Sequence, residues 1–180
     1  MNCITNNILQ IHKTLRKYVT FKTLKDSIDQ DLIPNRHILK QNVIDEFDCP
    51  IFNLHLSYLP YNRGAYLNFW SFYDNTPSGV TIHLIDDGVD TRPIIKHKSV
   101  NFQQLDNPFS KKYSILIENI ENIFLEFMPF MLTDTWTAKK QRGIGAYHYV
   151  RDLLTNSSGW NLIFNEELAR LDKEGFLYEA

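Results

Sequence analysis

Between residues 50 and 97, four short apolar runs alternate with clusters of turn residues. No other feature constrains the chain as much, and it predicts a meandering sheet. In the first run, residues 51–58, Phe52, Leu54, Leu56 and Tyr58 point one way while Asn53, His55 and Ser57 point the other, as in a half-buried strand. A turn cluster over 61–64 follows Pro60. Residues 65–73, aromatic and apolar on both faces, then read as a central strand. Residues 74–79 read as a hairpin turn, and 80–85 return with Val80, Ile82 and Leu84 on one face. After a turn over 86–90, residues 92–97 make a fourth strand. Pro93 has no N–H to give a ladder, which places that strand at an edge.

Helical periodicity flanks this region. Ile4, Ile8, Ile11, Leu15 and Tyr18 draw one apolar stripe, Leu24, Ile28 and Leu32 a second, and Leu39, Val43 and Ile44 a third that ends before Pro50. Asn107 and Pro108 form a start signal, with Asn107 as the cap and Pro108 in the first turn. The longest helix then presents Phe109, Tyr113, Leu116, Ile117, Ile120, Phe124 and Phe127, and Pro129 ends or kinks it. Residues 146–154 read as a further helix, 160–164 as a short strand, and Asn165 as the cap of a last helix. The expected fold is α+β: an N-terminal helical segment (1–48), a largely antiparallel sheet of four to five strands (50–98), and a mainly helical remainder (105–180) packed on one face as a single domain.

The 180 residues are 43% hydrophobic and 22% charged, an ordinary globular composition, and no apolar run is long enough to span a bilayer. Residues 1–8 lack the basic flank and unbroken apolar segment of a signal peptide. Cys3 and Cys49 show no CxxC spacing, so free thiols in the cytoplasm are expected. A net charge of −2 argues against nucleic acid, whose phosphates demand clustered Lys and Arg.

The best local signal for chemistry is residues 139–146, Lys-Lys-Gln-Arg-Gly-Ile-Gly-Ala, before the expected helix over 146–154. Glycines allow close backbone approach, and helix-start amides beside cations favour phosphate. The run resembles the pyrophosphate loop of the Gcn5-related N-acetyltransferases, with Lys140 where that family has Gln or Arg. Asn165, Ala169 and Gly175 with Phe176 are similar to its C-terminal pattern. The resemblance implies an acetyl-CoA enzyme in which Arg142, Gly143 and Gly145 hold the pyrophosphate. A second constellation, His55, His83 and His97 with Asp86, suits zinc if the strands pair in order, but lacks zinc-motif spacing.

No GxSxG, HExxH or Walker loop is present. The leading expectation is therefore a non-catalytic protein-binding module that uses no cofactor or metal and contacts neither nucleic acid nor membrane. In its most specific form this is an immunity or antitoxin-like protein masking a cognate toxin, such as a basic nuclease. Asp86, Asp87 and Asp90 would steer the partner, with His83, Tyr66 and Trp70 at the contact. The acetyltransferase is the alternative.

Overall fold

The computed structural model describes residues 3–5, 41–45, 50–85, 88–102, 108–149, 166, 169, 170 and 173. Its centre is a four-stranded sheet in the order β1-β2-β4-β5. Strand β1 (Cys3–Thr5) runs parallel to β2 (Ile51–His55), and β2 runs antiparallel to β4 (Gly79–Leu84), which pairs antiparallel with β5 (Ile94–Ser99). The short helix α1 (Gln41–Ile44) falls within the apolar period expected there. The mixture of helices with an antiparallel sheet is as expected. Ile4, however, lies in a strand rather than on a helical stripe, and the other residues of the first two stripes lie outside the described residues.

Alternation along β2 decides what each face meets. Phe52 and Leu54, with Val80 and Ile82 of β4, face helix α3 (Phe109–Leu132) and pack on Leu116, Ile120, Ile123, Phe124 and Phe127. Phe52 meets Phe127 and Trp136 edge-on, with ring centroids 5.5 and 5.3 Å apart. The α3 stripe is the one the periodicity draws, and the helix runs through Pro129 to Leu132 rather than ending there. Phe124 is 1% exposed within this cluster, so Phe124→Ala is expected to lower stability by about 3–5 kcal/mol. Chemical denaturation, read as a shift in midpoint at constant slope, checks it.

Two expectations fail for one reason. Residues 65–73 are not a central strand: Tyr66 turns left-handed (φ 53) and caps helix α2 (Leu67–Tyr73). A run that is apolar on both faces satisfies a two-sided strand and a buried helix equally well. The contacts settle it, since Phe69 with Tyr73 and Trp70 with Tyr73 are ring pairs at helical spacing. The turn over 74–79 accordingly joins a helix to β4. Likewise residues 146–149 do not start a helix: β6 (Tyr147–His148) pairs parallel with β3 (Arg63–Gly64). Asn107 lies outside the described residues, and Pro108 itself occupies the cap position of α3.

Strand β5 occupies the sheet edge among the described residues, with Pro93 just before it and the Pro93 carbonyl accepting from Leu84 N–H. The β4–β5 register slips between Ile82 and His83, because Ile95 is an extra residue on β5. Such bulges twist a strand locally and re-aim its side chains. Here the bulge falls at His83.

Candidate active site

All five residues of β2 are buried, so the face carrying Asn53 and His55 is not the solvent face that alternation alone suggests. Polar groups are buried only where something compensates them. Asn53 sits opposite His83 in the register, which puts both side chains on the same face of the sheet. The chain then leaves β4, turns, and delivers Asp90 beneath them in a left-handed conformation (φ 54). The Asp90 Oδ1 atom lies 3.4 Å from His83 Nε2 and 3.5 Å from His55 Nδ1, and accepts from Asn53 Nδ2 at 3.3 Å. Its other oxygen accepts from the Gly64 N–H at 3.2 Å.

The hydrogen bonds fix the proton positions. His83 Nδ1 is 2.7 Å from the Leu84 carbonyl, which only accepts, so Nδ1 carries the proton. The Nε2 lone pair of His83 is then left to accept from Asn53 Nδ2 at 3.1 Å. With both Asn53 amide hydrogens engaged by His83 and Asp90, its Oδ1 is left over, buried and without a protein partner. So is His55 Nε2. Two orphaned polar atoms side by side on a buried face are what a site prepared for a polar ligand looks like.

Burial pushes the His55 imidazole down to about 4 and Asp90 pulls it back only in part, so it is neutral at pH 7. Burial opposes charge on Asp90 too, but His55, His83 and the Gly64 amide outweigh it and hold the carboxyl below its ordinary range. A neutral His55 turns Nδ1–H toward this carboxylate and leaves Nε2 with a free lone pair, the arrangement of an oriented general base. Stability should follow: since the folded pKa lies below the ordinary 6.5, the contribution is complete above about pH 6.5 and is lost as pH falls toward 4. The loss should be on the order of 3 kcal/mol by pH 4. Denaturant midpoints measured from pH 7 to 4 should fall less steeply in His55→Gln than in the natural chain; equal slopes would refute the assignment.

Beside the cluster is a cleft of about 480 Å³ lined by Ile44, Asp45, Pro50, Ile51, Leu84, Ile85, Arg92 and Trp136. Three of these residues neighbour the cluster along the chain: Ile51 precedes Asn53 by two residues on β2, Leu84 follows His83, and Arg92 follows Asp90 by two. The loop bearing Asp90 is clamped by Gln141, whose Nε2 donates to the Asp90 and Arg92 carbonyls, each at 2.8 Å. The Gln141 Oε1 atom accepts from Arg63 at 2.8 Å.

Among the residues expected to contact a partner, His83 and Asp90 meet in this cluster, while Asp86 and Asp87 lie outside the described residues. Tyr66 caps α2. Trp70 is 8% exposed and stacks on His148 at 4.1 Å, and Asp74 lies 2.7 Å from that imidazole, so Trp70 is packed inside rather than offered at a surface. Of the zinc constellation, His55 and His83 come together, but His97 stacks on Tyr58 at 4.4 Å instead.

The glycine loop is not the phosphate cradle its resemblance implies. It runs into β6 rather than a helix, Arg142 is exposed, and Lys139 bridges Ile94 of β5. Gly143 is left-handed (φ 93) in open space, whereas a Cβ on Gly145 would lie 2.0 Å from the Pro60 carbonyl oxygen. Gly143→Ala is therefore expected to cost about 1 kcal/mol of backbone strain, and Gly145→Ala about 2 kcal/mol or more through displacement of the loop. Thermal unfolding of the two variants should show that order. The sequence pattern offers His55 only as a zinc ligand and gives Asn53 no role, because Asn-x-His on one strand face has no spacing signature of its own; the available signal is an alternating strand whose polar face holds only Asn, His and Ser.

Comparison with known proteins shows what the chain that carries this arrangement is similar to. Residues 35–114, which hold the whole cluster, match the formyl transferase family model. The chain is 31% identical over 130 residues to the dTDP-4-amino-4,6-dideoxyglucose formyltransferase of Mycobacterium bovis, a match covering 72% of this chain and 49% of that protein. It is 30% identical over 107 residues to the methionyl-tRNA formyltransferase of Thermodesulfovibrio yellowstonii, with 59% and 34% covered. The chain thus spans about half the length, or less, of the curated relatives it matches. Among solved structures it is similar to the formyltransferase PseJ from Anoxybacillus kamchatkensis, in complex with UDP-4,6-dideoxy-4-formamido-L-AltNAc and tetrahydrofolate. That likeness has 29% identity, a TM-score of 0.74, and 92% of this chain and 95% of that one covered. These matches overturn both the toxin-masking protein and the acetyltransferase: they point to an enzyme with formyltransferase relatives, and those solved with ligands carry a sugar nucleotide and a folate rather than a protein toxin. Among the described residues no helix is long and apolar enough to cross a membrane.

Proposed function

We propose that the chain transfers a formyl group from a reduced folate to the amino group of a nucleotide-linked amino sugar. The observation that carries this is the Asn53, His55 and Asp90 cluster, with Asn53 Oδ1 and His55 Nε2 unpartnered, inside the segment matched by the formyl transferase model. The likeness to PseJ, spanning nearly all of both chains, supports the sugar-nucleotide and folate pair named with it. A net charge of −2 favours a small substrate over a tRNA.

The residues fit such a donor. Asp45, Arg92 and Trp136 give the adjoining cleft polar and aromatic walls for a flat heterocycle. The folate would supply the formyl carbon; the sugar amine forms the new C–N bond as the folate C–N bond breaks, and the proton that the amine loses is returned to the departing folate nitrogen. His55 Nε2 is placed to take the proton the amine loses, and Asp90 holds the ring in the tautomer that leaves Nε2 open. The Asn53 amide sits beside His55 to fix the formyl oxygen while its charge grows. His83 positions rather than reacts, holding the Asn53 amide from one side as Asp90 holds it from the other.

The purified full chain is to be incubated with N10-formyltetrahydrofolate and a panel of UDP- and dTDP-linked 4-amino sugars. Mass spectrometry should show one product heavier by a formyl group in place of a hydrogen. No formylated product with any amino sugar, while a methionyl-tRNA is formylated, would reject the substrate class.

A further inference from the structure

The geometry points to a second use of this cluster: Asn53, His55, His83 and Asp90 form a tetrahedral site for a divalent transition metal, zinc above all, that excludes the proton-transfer state. A tetrahedral zinc with nitrogen and oxygen ligands at about 2.0–2.1 Å separates its donor atoms by about 3.3 Å. Four of the six donor separations bracket that edge: 3.1 Å from the Asn53 amide to His83 Nε2, 3.3 Å from that amide to Asp90 Oδ1, 3.4 Å from His83 Nε2 to Asp90 Oδ1, and 3.5 Å from His55 Nδ1 to Asp90 Oδ1. The three His and Asp donor atoms all lie within 4.8 Å of one another. Two imidazole nitrogens, one amide oxygen and one carboxylate oxygen suit zinc or cobalt better than magnesium or calcium, which prefer all-oxygen cages.

The side chains are held for this. His83 Nδ1–H donates to the Leu84 carbonyl, the outer-sphere bond that typically orients a ligating histidine and directs Nε2 at a metal. His55 must shift its proton from Nδ1 to Nε2, which no protein group occupies, and the Nδ1–H directed at Asp90 gives way to a metal bond. The Asn53 amide must turn over. Its Oδ1 is also unpartnered, so the turn exchanges two N–H bonds for one metal–oxygen bond at the same position. All four donors sit on a buried face, with His55 and His83 each at most 5% exposed, so the metal replaces few bonds to water.

Metal and catalysis then exclude each other, because a metal on His55 Nδ1 puts the ring proton on Nε2, the atom that catalysis needs bare. A bound ion takes the Asp90 oxygen that orients His55 and turns the Asn53 carbonyl inward, so zinc should inhibit reversibly. The metal site itself rests on the donor geometry and not on the formyl-transfer assignment, and it is tested by binding as well as by activity.

The test titrates Co²⁺ into the full chain carrying Cys3→Ser and Cys49→Ser, to remove competing thiols, and follows the visible absorption that distinguishes tetrahedral from octahedral cobalt. One cobalt per chain with intense tetrahedral bands, displaced by Zn²⁺, is expected. Proton NMR of the same sample should show paramagnetically shifted N–H signals from two imidazoles. His83→Gln and Asp90→Asn should each weaken binding about 100-fold, with circular dichroism confirming that each is folded. Weak octahedral cobalt, or undiminished binding in both folded variants, would overturn the site; so would shifted signals from fewer than two imidazoles in the chain with intact His83 and Asp90. Where sugar formylation is detected, Zn²⁺ should abolish it and a chelator restore it. Binding without any formylation would leave the metal site standing and remove the formyl-transfer function instead.

Discussion

Changing His55 to Ala is expected to lower kcat/KM for formyl transfer by about 10²–10⁴-fold, the usual contribution of a positioned general base. The loss should fall on kcat, since Nε2 is the one ring atom without a protein partner and its work is proton transfer rather than substrate capture. The fold should survive. His55 is neutral by burial, and Asp90 keeps Asn53, His83 and the Gly64 amide when the imidazole is gone. Steady-state rates with circular dichroism on the same preparation check both halves, and an unchanged kcat would remove His55 from the mechanism.

Changing Asp90 to Ala should do more damage. Activity should fall at least as far as in the His55 variant, and stability by about 3–5 kcal/mol, because the His55 Nδ1–H, the Asn53 amide and the Gly64 N–H all lose their acceptor in a buried place. Asp90→Asn separates the two effects. It keeps an oxygen for part of the network, so less stability is lost, while the anion that counters burial of His55 disappears. The pH profile then shifts to lower pH, since burial alone sets the imidazole. Urea denaturation and pH–rate profiles of the two variants make the comparison; a stable and active Asp90→Ala chain would show that the carboxylate is a bystander.

Much of the scaffold is readable from residue patterns. The alternation over 51–58, the returning strand with Val80, Ile82 and Leu84 inward, the edge position behind Pro93 and the α3 stripe are consequences of side-chain period. Period does not discriminate where a run is apolar on both faces, so 65–73 reads as a central strand, whereas 67–73 is a helix in which Phe69 and Trp70 find ring partners at helical spacing. Nor does it show a buried lysine: Lys112 lies within α3 with its ammonium 3.7 Å from the Phe72 ring centre, a stabilisation that exists only once α2 packs there.

The site divides in the same way. Local sequence put Asn53 and His55 on one face of a strand and His83 on its neighbour, because those positions follow from a two-residue repeat. Tertiary structure alone decided that this polar face would be buried and that the carboxylate beneath it would be Asp90. A turn rich in Asp carries no period to select one. The choice was made by the left-handed backbone at Asp90, the Gly64 amide and the Gln141 clamp, contacts between segments up to 51 residues apart that no local pattern encodes.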